Sequence, residues 1–249
     1  MKSDYFSNRR TVRKYTGQPI SDEQLRGILE QALRAPTTGN MQLYTIIVTR
    51  SKEGKKALAP AHFGQPQVEG CAVTLTICAD LNRFSRWCRL SKADPGFDNF
   101  LTFTSAFLDA SILAQQICSI AEMNGLGTCY LGTCTFNAPA ISKLLELPEL
   151  VVPIACLTIG YPADQGIETE RLPLDAVIGY EKYPAHSDEE IMKLFEAKDN
   201  YAPNAQYVKE NNKETLAQVY TDVRYPRAMN EEFSAQFIEL LKQKGFMPK

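Results

Sequence analysis

A chain of 249 residues with 22% charged and 44% hydrophobic side chains and a formal net charge of −2 has the composition of an ordinary globular protein, long enough to bury roughly 70–75% of its unfolded surface. The balance argues against a nucleic-acid binder or a protein held on anionic membranes, both of which carry an excess of Lys and Arg, and no run approaches the ~18–20 apolar residues of a membrane span. The seven cysteines (Cys71, Cys78, Cys88, Cys118, Cys129, Cys134 and Cys156) are odd in number and lack CxxC spacing, and the amino terminus has no apolar signal core; reduced core thiols and a cytoplasmic location follow as expectations.

In chain order, the first feature is Arg9-Arg10-Thr11-Val12-Arg13, three guanidiniums and a hydroxyl within five residues. Arginine presents a planar fork of donors suited to phosphate, so the cluster can grip one phosphate if the fold turns it inward; a solvated basic turn is the plainer reading of these residues alone. Ser21-Asp22-Glu23-Gln24 has the form of a capping box, and Leu25, Ile28, Leu29, Ala32 and Leu33 make one apolar stripe that Pro36 stops, which predicts a helix ending near Ala35. The stretch from Ala35 to Gln42 is dense in hydroxyls and amides and reads as a helix-to-strand loop before the strand Tyr44–Thr49.

A short helix over Ser51–Leu58, a turn-rich loop at residues 62–67 and a buried strand over Cys71–Ala79 come next. Residues 80–96 read as helical and then irregular, with Trp87 as a packing residue. The segment Thr102–Asn124 is apolar nearly all round and predicts a helix buried either under the sheet or in a subunit interface, stopped by Asn124-Gly125. Residues 126–132 form a short strand and turn whose glycines let backbone approach something closely, without GxGxxG spacing. Pro139–Leu145 is a further helix and Val151–Gly160 a further buried strand. Residues 166–185 read as an extended arm, Asp188–Ala197 as a helix, Lys198–Asn212 as a polar loop and Glu231–Lys244 as an amphipathic helix. No internal repeat or low-complexity segment is present.

Several of these stretches together resemble a known family. Arg-Arg-Thr-Val-Arg-Lys-Tyr from Arg9, the loop Ala35–Gln42, Gly64-Gln65 before the second strand, the turn Gly125–Gly132 and Gly160-Tyr161-Pro162-Ala163-Asp164 occur in the order seen in nitroreductase-like FMN flavoproteins. With Arg171-Leu172-Pro173 and a long extension beyond it, the chain is most similar to the branch of oxygen-insensitive NADPH nitroreductases and flavin reductases. The resemblance implies an α+β three-layer sandwich, a mostly antiparallel sheet flanked by helices, in an obligate homodimer. It places the FMN-binding core at residues 1–165 and assigns residues 166–249 to an arm and helical extension packing on core and partner subunit.

It also implies roles for residues. Arg9, Thr11 and Arg13 match the positions that hold the FMN phosphate, with Arg10 among them. Pro36, Thr37, Thr38 and Asn40, with Gln42 beside them, match a loop that reaches the flavin of the neighbouring subunit. Gln65 matches an amide bonded to the flavin ring or ribityl chain; Tyr130, Leu131, Gly132 and Thr133 match backbone lying against the isoalloxazine; Arg171 matches a second phosphate contact. The implied activity is hydride transfer from NADPH or NADH through flavin N5 to nitroaromatics, quinones or flavins, with ping-pong kinetics and no catalytic side chain of the protein's own.

One departure stands out. The branch carries Lys-Pro-Arg on the arm where this chain has Thr169-Glu170-Arg171, so a cation is lost, an anion is added and more of the phosphate load falls on the N-terminal arginines. That departure is the one hint of an alternative, a non-catalytic flavin or phospholigand-binding protein on the same scaffold. His62, Cys71, Cys78 and Cys88 fit no metal-site spacing and read as core, as do Cys129 and Cys134 beside the flavin turn. His186 reads as exposed. Lys209, Arg224 and Arg227 are candidates for the 2′-phosphate of NADPH, with surface charge the plainer reading of each.

Overall fold

The chain's longest apolar stretches organise its fold, seen in a computed structural model that describes residues 4 to 247. In chain order the elements are α1 (Asp4–Asn8), α2 (Asp22–Ala32), β1 (Tyr44–Thr49), α3 (Lys52–Leu58), α4 (Gln67–Gly70), β2 (Val73–Asp80), α5 (Asn82–Leu90), α6 (Phe100–Met123), β3 (Gly127–Leu131), α7 (Thr133–Phe136), α8 (Ala138–Leu144), β4 (Val151–Gly160), α9 (Asp188–Asp199), α10 (Ala202–Glu210), α11 (Leu216–Gln218) and α12 (Arg227–Gln243). They form two compact units: one holds the described chain up to Ile167 together with that from Phe233, and the other is Glu168–Glu232.

The first unit is built on a four-stranded sheet of order β1-β2-β4-β3, every pair antiparallel. All residues of β2 and β4 are buried, so these strands read as continuous apolar runs rather than alternating ones. Helix α6 packs on β2 and β4. Its alanines Ala106, Ala110, Ala114 and Ala121 are fully buried, letting the helix lie close to the sheet, and Leu113 and Ile117 beside them contribute about 1.5–3 kcal/mol each. The same core takes in Leu240 and Leu241 of α12 and Phe246, whose ring stands 5.1 Å from that of Phe103.

Within the second unit the Glu170 carboxylate accepts from Lys198 Nζ at 2.9 Å and from Asn204 Nδ2 at 3.0 Å, tying the arm to α9 and α10. A cavity of ≈ 410 Å³ lies among Pro173, Asp175, His186, Glu190 and Lys193.

Four local expectations are corrected. The polar segment 198–212 contains a helix, α10: Pro203 sits in its first turn, where a missing N–H costs nothing, and Asn204 is buried by its bonds to Glu170 and Lys198 O. The capping box of α2 is half made; the Ser21 hydroxyl accepts from Gln24 N, but the Gln24 side chain accepts from Tyr161 Oη at 2.9 Å instead of reaching back. Trp87 is 59% exposed because α5 turns Ser85 and Cys88 inward, leaving Trp87 leaning on Phe84 at 5.3 Å. His186 is half-buried, with Nε2 enclosed.

Candidate active site

The basic stretch after α1 is held extended from both sides. Val12 N donates to Thr128 O of β3 at 3.0 Å, while Thr11 bridges Ile167 and Tyr15 bridges Pro162 in antiparallel fashion. Extended backbone sends alternate side chains to opposite faces. Val12 is buried towards Gly127, where an added Cβ would lie 2.6 Å from Val12 Cβ, so Thr11 and Arg13 fall on the other face. Tyr15 locks the segment: its hydroxyl reaches Val12 O at 2.9 Å, Thr158 O at 3.1 Å and Thr158 Oγ1 at 2.8 Å, and its ring occupies the space that a side chain at Gly160 would need. Burial first of all holds the Tyr15 phenol neutral, far above its ordinary pKa.

Arg13 is exposed, and its guanidinium makes no hydrogen bond or ion pair among the described residues. Its position is reported by Cys129 of β3: burial pushes that thiol up, while the charge of Arg13 and a hydrogen bond with Gln67 pull it down. Gln67 Nε2 in turn donates to Gln65 Oε1 at 3.0 Å. The neighbouring turn after β3 is joined to the loop before α4 by His62 Nδ1 to Thr133 Oγ1 at 2.8 Å and by Asn137 Nδ2 to Ala61 O at 2.8 Å. His62 is fully enclosed, and burial lowers its pKa from 6.5 to about 4, so it is neutral at neutral pH. Tyr130 is 39% exposed between buried strand neighbours, Leu131 is buried, and Cβ atoms at Gly64 and Gly132 would meet open space.

Arg13 and Gln67 thus both act on Cys129 of β3, Gln67 is bonded to Gln65, and the turn after β3 is bonded to the loop before α4. The other expected residues are engaged elsewhere. Arg9 pairs with Glu122 Oε1 at 3.3 Å and donates to Cys118 Sγ at 3.5 Å; the same carboxylate accepts from Tyr5 Oη at 2.7 Å and from the Thr128 hydroxyl. Arg9 and Arg10 line a cavity of ≈ 230 Å³ with Tyr5, Glu122 and Gln165. The loop of Pro36, Thr37, Thr38, Asn40 and Gln42 makes no described hydrogen bond to Arg13, Gln65 or Thr133; its bonds run to α6 and to Arg83.

In the second unit, Arg171 Nη1 folds back on its own loop, donating to Thr169 Oγ1 at 2.6 Å and to Glu170 O at 2.9 Å. The bond from Lys198 first of all holds the Glu170 carboxyl below its usual range. The Arg224 guanidinium lies over the rings of Tyr207 and Tyr220 at 4.7 and 5.5 Å, Arg227 pairs with Glu231 at 3.7 Å, and Lys209 is exposed.

Sequence reasoning missed Tyr15 and Asp109. Tyr15 carried no signal beyond its place in the basic run. Asp109 did: a lone carboxylate among Ala106, Ala110, Leu113 and Ala114 cannot be buried without donors.

The nitroreductase family model matches residues 6–161, which span the basic segment, the whole sheet and α6. The chain is similar over nearly its full length to the NAD(P)H FMN reductase of Bacillus subtilis (strain 168), at 31% identity over 97% of this chain and 96% of the relative. It is 29% identical to the oxygen-insensitive NADPH nitroreductase of Salmonella typhimurium, over 75% of this chain and 76% of that one. Among solved structures, a Bacteroides fragilis protein described as an oxidoreductase superposes with a TM-score of 0.97 at 44% identity, covering 99% of this chain and 100% of the other. With this sheet, this pinned basic segment and these relatives, the chain belongs to the nitroreductase family.

Proposed function

We propose that the protein is an FMN-dependent NAD(P)H oxidoreductase, active as a homodimer in the cytoplasm, that passes electrons to nitroaromatics, quinones or free flavin. The observation that carries the reading is the pinned basic segment, which leaves Arg13 and Thr11 on the face away from the core and Arg13 exposed beside β3. The donor set suits FMN: a guanidinium and a hydroxyl for a dianionic phosphate, amides at Gln65 and Gln67 for ring or ribityl oxygens, and open space over Gly132 for a planar ring. Relatives named as FMN reductase and NADPH nitroreductase support it.

FMN held there would supply the hydride chemistry that links a nicotinamide nucleotide to an acceptor. The chain's own side chains bind and orient. Arg13 would neutralise the phosphate and the Thr11 hydroxyl would donate a hydrogen bond to it; Pro36, Thr37, Asn40 and Gln42 would serve the flavin of the neighbouring subunit from the loop. His62, uncharged, fixes Thr133 without adding charge beside the ring. Arg9 braces the segment through its ion pair with Glu122, and Arg10 lines the cavity beside it. The paired state of Glu170 removes the arm's uncompensated anion, which weakens the case for a merely flavin-storing protein.

Purified protein is expected to be yellow, and its flavin to bleach anaerobically with NADPH or NADH. A colourless protein that takes up no added FMN overturns the reading. Bound flavin that neither nucleotide bleaches leaves storage as the function.

A further inference from the structure

We infer that Asp109 and Arg83 are positioning residues that hold the Thr37–Gln42 loop in its ligand-binding shape before any ligand arrives. The inference rests on the reading of that loop as a flavin-contacting surface, and both residues lie outside the stretches that carry the family resemblance.

The loop is held in an unfavourable conformation. Gly39, Asn40 and Gln42 have φ of 54°, 57° and 54°, left-handed backbone that only the glycine adopts freely. Strain of this kind persists where the surroundings over-determine it. On one side the surroundings are Asp109 of α6, 1% exposed: its Oδ1 accepts from Thr38 N at 2.8 Å and from Thr38 Oγ1 at 2.9 Å, and its Oδ2 accepts from Leu43 N at 3.4 Å. One carboxylate therefore grips the loop at both ends. A carboxylate buried in a helix that otherwise packs alanine and leucine is costly unless donors meet it, and here the loop supplies them.

On the other side is Arg83 of α5. Its Nη2 donates to Gln42 O and to Tyr44 O, each at 2.8 Å, fixing the carbonyl of the strained residue. Its Nη1 is steadied by Thr45 Oγ1 at 3.0 Å and by Asp80 Oδ2 at 3.3 Å. Asp80 is 6% exposed and also accepts from Thr45 Oγ1 at 2.5 Å, so the arginine's anchor is itself fixed. The consequence is a division of labour within the loop. Thr38 turns in to the clamp, while Asn40 and Gln42 stay exposed, their amides already set against each other by Gln42 Nε2 to Asn40 Oδ1 at 3.2 Å. A plain helix-to-strand connection needs neither clamp.

The test compares wild type with Asp109→Asn, Thr38→Val, Thr38→Ser and Arg83→Lys, the last chosen because lysine cannot reproduce a fork that serves two carbonyls. Two quantities are read: hydrogen exchange of the Met41 and Gln42 amides in FMN-free protein, neither of which bonds Asp109 directly, and the Kd for FMN. Asp109→Asn, Thr38→Val and Arg83→Lys are expected to speed that exchange and weaken FMN binding by about tenfold, as loss of preorganisation predicts, while Thr38→Ser stays within about twofold of wild type. If exchange and Kd are both unchanged, or exchange quickens while Kd does not move, the positioning role is overturned. Should Asp109→Asn not fold, Thr38→Val and the surface variant Arg83→Lys carry the same comparison. Wild type that binds no FMN sinks the flavin reading instead, and the exchange arm still decides the clamp.

Discussion

Arg9 and Arg13 stand four residues apart in one basic run and end in different surroundings. Arg9 is paired with the nearly buried Glu122, whereas Arg13 is exposed beside β3. Arg13→Ala is therefore expected to raise the FMN Kd by about 10–100-fold, the worth of one charge-assisted hydrogen bond, and Arg9→Ala by less, since Arg9 is already paired with Glu122. Equal flavin retention on dialysis in the two variants would overturn the ranking. His62 gives a pH prediction. Its folded pKa, about 4, lies below the ordinary 6.5, so between those values the unfolded chain binds a proton that the folded chain does not. Stability is then complete above pH 6.5 and declines by up to about 3 kcal/mol as pH falls to 4. Urea midpoints across that range should flatten in His62→Gln; an unaltered slope would show that the histidine is not the titrating group. The sequence made the type of these residues legible but not their partners, because the Glu122 that takes Arg9 and the Thr133 that takes His62 lie far along the chain.

At the scale of elements, the basic segment depends on residues whose only contribution is to be small. Gly127→Ala would drive a methyl into Val12, and Gly160→Ala would drive one to within 2.8 Å of the Tyr15 ring with Ala72 N at 3.2 Å behind it. Each is expected to cost about 1–3 kcal/mol of stability and to loosen FMN, while Gly132→Ala, with open space around its Cβ, costs no folding stability of that kind. Thermal midpoints with and without FMN check this; a Gly127→Ala protein as stable as wild type would mean that the segment is not packed on β3. The strands β2 and β4 were legible as apolar runs because burial on both faces leaves no alternation to misread, and α6 because it stays apolar even where Phe100, Leu101 and Leu108 are exposed. Helix α10 was not, since its sequence is polar and its one buried side chain, Asn204, is held by hydrogen bonds rather than by an apolar stripe. The left-handed turn at Asn40 and Gln42 was likewise hidden, because the groups that impose it sit on other elements.

For the whole molecule, α6 presents Leu101, Leu108 and Phe100 at 75%, 56% and 53% exposure on the helix that also forms the core. Such a surface fits a partner subunit, and a homodimer of the 27.9 kDa chain is the expected species in solution. Leu101→Glu with Leu108→Glu is expected to halve the mass seen by light scattering and to release FMN at the same time; a monomeric wild type that holds FMN would overturn the dimeric site. The division into units has a consequence for biosynthesis. Residues 168–232 interrupt the unit whose core needs Leu240, Leu241 and Phe246, so that unit is discontinuous in the chain. A nascent chain that has emerged only as far as residue 232 has made the whole sheet and α6 yet still lacks what covers Phe103. Sealing the core then requires closing a long intervening loop, a step with an entropic cost of about 4 kcal/mol on top of a length-independent term. The last turns of α12 are thus expected to join late, and a chaperone that shields α6 until they arrive would act in the interval when its apolar faces are most exposed.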